Sequence, residues 1–143
     1  MKKEVILLIS GIQIAPGCEP ETIELMTTAE YQREGECIIL RYQESPLTGL
    51  TGTTTQFTIR PGVIILERHG AVESVMEFVE GKTSESLYRI EEGALLLRVI
   101  AKKMTIAIEN DVGFFELFYG IEIEDTPMGT IEYHITIQPA HQE

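Results

Sequence analysis

Apolar and polar residues alternate along almost the whole chain. From Val5 to Gln138, about ten short runs keep a two-residue period, each bounded by Gly, Pro, Asn-Asp or charged breaks. Period two sends successive side chains to opposite faces of a strand, and no long window carries the 3.6-residue apolar stripe of a helix. The pattern predicts strands over Glu4–Ile14, Thr22–Gln32, Glu36–Glu44, Thr53–Arg60, Val63–His69, Ala71–Glu80, Glu85–Ile90, Ala94–Glu109, Phe114–Glu124 and Thr130–Gln138. Ser10-Gly11 reads as a bend or bulge, and Pro61-Gly62 as a tight hairpin turn. Asn110–Gly113 and Asp125–Gly129 read as further turns. Ala94–Glu109 reads as one bent strand or two, interrupted at Lys102-Lys103. A helix over Ala94–Lys103 is its rival; the β-branched Val99, Ile100, Thr105, Ile106 and Ile108 decide for strand.

Loops between successive runs are short, so neighbours pair antiparallel. The fold class is all-β, a single domain over residues 1–143. Its expected architecture is a closed or nearly closed antiparallel up-and-down β-barrel of about 8–10 strands, because twist brings the first and last edges of such a meander together.

Alternation also sorts the faces. Ile38, Leu40, Tyr42 and Glu44 share the face taken as inner, as do Ile64, Leu66 and Arg68. Glu44 then faces inward near a barrel rim, where a lone carboxylate costs several kcal/mol unless it finds a cation or donors. Arg68 is the chosen partner. Met76, Phe78, Tyr88, Phe115 and Tyr119 line the same interior, as packing or as the wall of a cavity. A barrel of this width is hard to fill with side chains alone. Phe114 and Phe118 fall on an otherwise Glu-rich outer face, where exposed aromatics can mark a homodimer contact.

Charge narrows the partners. The net charge of −12 argues against nucleic acid and anionic membrane surfaces, which need positive patches. With 43% apolar and 24% charged residues the chain is globular. Cys18 and Cys37 are too few for a disulfide scaffold and read as two reduced thiols. Lys2-Lys3, the apolar Val5–Ile9 and Ala15-Pro16-Gly17-Cys18 have the outline of a lipoprotein signal, but Glu4, Gln13 and Pro16 spoil it. The expectation is a cytoplasmic protein.

Catalytic signals are sparse. There is no CxxC, no HExxH, no zinc-ligand spacing, no nucleophile elbow and no phosphate-binding glycine loop, so no cofactor is implied. Of the histidines, His141 lies in the tail, His134 on a polar strand face, and His69 at a strand end. Tyr42–Thr58 is densest in polar groups able to organise a site, although Thr53–Thr55 reads as ordinary strand.

Spaced short motifs carry a resemblance. Ile39-Leu40-Arg41-Tyr42-Gln43-Glu44-Ser45, Thr48-Gly49, Gly52-Thr53-Thr54-Thr55, Arg68-His69-Gly70, Met76-x-Phe78, Gly81, Tyr88 and Gly93 resemble the YwiB-like family across nearly the full chain. That family is a bacterial domain of unknown function. The resemblance implies a lipocalin-like (calycin-type) barrel and brings no established activity or catalytic residue. The family pattern has a Thr where this chain has Ile90, which favours a structural role for that segment.

Three readings of function follow. The first is a small-molecule-binding barrel, with an apolar or amphipathic ligand against Met76, Phe78, Tyr88 and Tyr119 and its polar end placed by Tyr42, Glu44 and Arg68. The alternative is a protein-interaction or assembly module with a packed core. The third and weakest is an enzyme using Glu44, His69 or Tyr42 as acid or base.

Overall fold

A computed structural model describes residues 2–46 and 49–140. Among them the chain forms ten antiparallel strands and no α-helix: β1 (Lys2–Ile14), β2 (Glu21–Glu34), β3 (Cys37–Gln43), β4 (Thr54–Arg60), β5 (Val63–His69), β6 (Ser74–Phe78), β7 (Thr83–Ile90), β8 (Gly93–Glu109), β9 (Val112–Ile123) and β10 (Thr126–Pro139). Among the described residues, no helix is long and apolar enough to cross a membrane. The rival helix over Ala94–Lys103 is strand throughout.

The sheet order is β6-β5-β4-β3-β2-β1-β10-β9-β8-β7. Each strand lies beside its neighbours in sequence, and the first strand pairs the last from Val5↔Pro139 to Ile14↔Thr130. The barrel therefore has its seam in mid-chain, between β6 and β7. One antiparallel bridge closes it there, Glu73 with Arg89, each backbone N–H donating to the other's carbonyl at 2.9 Å. Further along, Gly81 N donates to Ala101 O at 2.8 Å and Ala101 N to Lys82 O at 3.1 Å. Between these ties the Ser84 hydroxyl reaches across, donating to Glu77 O at 2.8 Å. The segment Ala71–Glu80 thus yields a five-residue strand, much shorter than its alternation predicts.

Turn chemistry sets the register. Pro61-Gly62 links Arg60 to Val63, with Gly62 at φ 76°. Asn110-Asp111 alone, both at positive φ, joins Glu109 to Val112, so the predicted four-residue turn is two residues long. Glu124-Asp125 does the same before Thr126, and the predicted Asp125–Gly129 turn is the bulged start of β10, with the register shift between Pro127 and Gly129. The interruption at Lys102-Lys103 is a bulge between Ala101 and Lys103. Ser10-Gly11 is no bulge: β1 keeps unbroken register with both neighbours.

The interior is built in layers. Tyr31, Leu40, Phe57, Leu66 and Met76 form one buried row across β2 to β6, with Ile38, Ile59, Ile64 and Phe78 beneath it. Phe57 meets Phe115 edge-on at 5.2 Å, a geometry favoured by the ring quadrupoles. This half ends in a polar clip. The Tyr31 hydroxyl donates to Asp111 at 2.7 Å, while Lys3 and Arg33 pair with the same carboxylate at 3.1 and 3.2 Å. The Tyr31 hydrogen bond, helped by those cations, holds the Asp111 carboxyl below its usual range.

An unpaired seam opens more easily than a full ladder. By amide hydrogen exchange, Val75, Glu77, Glu85 and Leu87 should exchange at least ~100-fold faster than Leu7 and Ile135 on the paired β1–β10 side. Equal protection on both sides would contradict a mid-chain seam.

Candidate functional site

A polar row crosses the other half of the barrel. Tyr42 pairs with Thr55, Thr55 with Arg68, and Arg68 with Ser74, so four inward-facing polar residues stand side by side on β3, β4, β5 and β6. Glu44 follows Tyr42 on the same face, and its backbone N–H donates to Thr53 O at 2.9 Å. Gly70 holds this corner tight, since a Cβ there would collide with the Gly52 carbonyl.

Glu44 and Arg68 are brought together, as their alternation implies. Arg68 Nε lies 4.0 Å from Glu44 Oε2, with side chains only 13% and 3% exposed respectively. The distance is an ion pair without a hydrogen bond. Glu44 is held instead by the Thr55 hydroxyl, which donates to Oε2. Arg68 donates from its NH2 group to the Tyr133 hydroxyl at 3.4 Å, and its Nε is buried with no hydrogen-bond partner among the described residues. Burial lifts Tyr42 and Tyr119 above the ordinary phenol range; Glu44 adds to the effect at Tyr42, and Tyr133 at Tyr119. Both phenols therefore remain protonated at neutral pH.

Two cavities flank this cluster. One, of about 200 Å³, is lined by Ile9, Leu25, Tyr42, Glu44, Leu50 and other residues at the rim, including Gln13 and Glu21. The other, of about 280 Å³, is walled by Met76, Tyr88, Leu95, Leu97, Ile121 and Ile123, with Tyr119. Arg68, Ile131 and Tyr133 border both. All these residues sit toward the end where β1, β3, β5, β7 and β9 finish, opposite the Asp111 clip.

Six of the seven predicted site residues border these cavities: Tyr42, Glu44, Arg68, Met76, Tyr88 and Tyr119. Phe78 does not. Its ring is fully buried in the packed half, 4.7 Å from that of Tyr119. Alternation gave its face correctly but carries no information on its height in the barrel. Thr55, read as ordinary strand, is the hydrogen-bond donor to Glu44. Thr48 and His141 lie outside the described residues.

Tyr133 is the main residue the site reading missed. It shares the inner face of β10 with Ile131, and the signal for it was Gly11. Gly11 and Tyr133 are partners across β1 and β10, and a Cβ on Gly11 would stand 3.2 Å from the Tyr133 ring. The glycine makes room for an aromatic side chain that reaches into the polar row.

The remaining candidates are surface features. His69 faces outward, Nδ1 at 2.8 Å from Glu73, whose hydrogen bond raises its pKa. It is thus separated by the sheet from Glu44 and Tyr42. Phe114 stacks on His134 at 5.2 Å, and Phe118 lies under the Lys102 ammonium at 5.8 Å. Cys18 and Cys37 are unbonded, and no cluster of acidic, His or Cys side chains among the described residues is placed to hold a metal ion.

The class defined by these features is a nearly closed, ten-stranded antiparallel up-and-down barrel with a polar cluster inside one end. Residues 8–135 match the model of a domain of unknown function, DUF1934, and the chain belongs to that family. It is 26% identical over 105 residues to the uncharacterized beta-barrel protein YwiB of Bacillus subtilis (strain 168), covering 73% of this chain and 72% of that protein. The crystal structure of the ywiB protein from Bacillus subtilis superposes with a TM-score of 0.86 at 21% identity, over 98% of this chain and 94% of that one.

Removing one member of a buried pair costs more than removing both, because the survivor stays buried and uncompensated. Arg68→Met should lose about 3–5 kcal/mol in urea unfolding, and the double variant Glu44→Gln/Arg68→Met markedly less. Equal losses would mean that the two side chains do not compensate each other.

Proposed function

We propose that the protein binds a small apolar or amphipathic molecule inside the open half of the barrel. The observation that carries this reading is the position of Arg68: a buried guanidinium with an unused donor, on the shared wall of two largely apolar cavities. An interior designed only for packing gains nothing from a charge pair there, since apolar residues of similar volume usually stabilise as well or better. Ligand sites, by contrast, combine apolar walls with a few placed polar groups.

In this reading the apolar part of the ligand lies against Met76, Tyr88, Leu95, Leu97, Ile121 and Ile123. Its polar end meets Arg68 and the phenols of Tyr119 and Tyr133. Size limits the ligand. Each cavity falls below the roughly 300 Å³ at which ordinary ligand pockets begin. One cavity suits a compact molecule. A longer one spans both if the 3.4 Å contact between Arg68 and Tyr133 gives way.

Titration with Nile red, a neutral environment-sensitive dye, tests the reading. The expected result is saturable one-to-one binding that weakens at least tenfold in Ile121→Phe, which fills the larger cavity, and is unchanged in Met26→Ser on the outer surface. Binding that does not saturate, or that ignores Ile121→Phe while its fold is intact, would exclude an interior site.

A further inference from the structure

The charges around the cavities restrict the ligand's chemistry more than their shape does. This step rests on the interior site proposed above and asks which head group that site accepts. The cluster holds one cation and one anion, Arg68 and Glu44, both buried and 4.0 Å apart. Among the described residues, the groups that stand around them inside the barrel are the hydroxyls of Tyr42, Thr55, Tyr119 and Tyr133 and, on β6, Ser74, while Glu21 lines the rim of the smaller cavity. The buried pair is thus electrically balanced before any ligand enters.

Adding a third charge breaks that balance. A carboxylate or phosphate beside Arg68 would face the Glu44 carboxylate across a few ångströms of low-polarity interior, where like charges repel far more strongly than in water. It would also give up its own hydration to share a cation already engaged. An ammonium would meet the mirror-image problem at Arg68. Glu21, at the rim of the smaller cavity, adds a further negative charge on the approach, and the whole chain carries −12. Glu44, Glu21 and the net charge all oppose an anion.

Uncharged acceptors meet no such opposition. Arg68 Nε and the Ser74 hydroxyl are buried donors for which the described residues supply no hydrogen-bond acceptor. A hydroxyl, ester or amide oxygen accepts from such donors and leaves the Glu44–Arg68 pair intact. We propose that the barrel takes an uncharged amphipathic molecule, an alcohol, ester or amide with a short apolar chain, and that Glu44 is the residue that rejects anionic amphiphiles. Glu44 acts here as a specificity determinant through its charge, held in place by Thr55.

Displacement of bound Nile red by three eight-carbon probes separates the possibilities. At pH 8, 1-octanol should displace the dye at a concentration at least tenfold below that needed for octanoate or octylammonium. Because an apolar pocket of any kind prefers the uncharged probe, the variants are decisive. Glu44→Gln removes the anion and keeps an acceptor for Thr55; octanoate should then gain at least tenfold while octanol moves less than threefold. Arg68→Gln should shift the preference toward octylammonium in the same way. Each variant is informative alone, so loss of fold in one leaves the other to decide.

The proposal is overturned if octanoate displaces the dye from the unmodified protein as readily as octanol. It is equally overturned if, in the folded variants, the displacing concentrations of the charged probes relative to octanol stay as they were in the unmodified protein. Failure of the underlying reading looks different: Nile red itself would then not bind the unmodified protein at a saturable interior site.

Discussion

A carboxylate and a guanidinium buried in one end of a small barrel constrain everything around them. Neither tolerates burial alone, so the chain must bring β3, β4 and β5 into the register that places Glu44, Thr55 and Arg68 together. A one-residue slip of any of these strands would turn its polar members outward and its apolar neighbours with them. The pair also keeps its end of the barrel from being filled by aliphatic side chains. Below it, rows of Leu, Ile and Phe close the interior; beside it, two cavities remain. Layering of this kind explains how one continuous sheet makes both a core and a site.

Closure follows from the same sheet. The first and last strands pair along ten residue positions, which leaves the short β6 and its neighbour β7 as the weak join. Glu73, Glu77 and Glu85 mark both sides of that join, the charged edge residues by which sheets discourage strand addition. The larger cavity touches this region through Met76 and Tyr88, so the least paired part of the barrel borders the proposed binding space.

Much of this was legible in the residues. Alternation identified the strands, the inner face and the inward placement of Tyr42, Glu44 and Arg68, because a two-residue period is a direct record of sidedness. It was silent on height and on position around the barrel. Phe78 therefore looked like a cavity residue and is core, while Leu95 and Leu97, read only as members of the Ala94–Glu109 strand, are cavity wall. Gly11 was misread because a glycine inside a strand marks either a bulge or a close approach, and only the partner strand decides which. The seam was invisible for a related reason: pairing across β6 and β7 depends on how many strands the closed sheet contains, which no local pattern encodes.

The central claim is an interior divided into a packed half and an open half at the level of Arg68. A crystal structure determined under xenon pressure tests it most directly, since xenon enters apolar cavities that protein atoms leave empty. The account predicts a xenon site against Met76, Leu97 and Ile121, and none among Phe57, Ile64 and Phe115. A barrel with no xenon anywhere in its interior would contradict it.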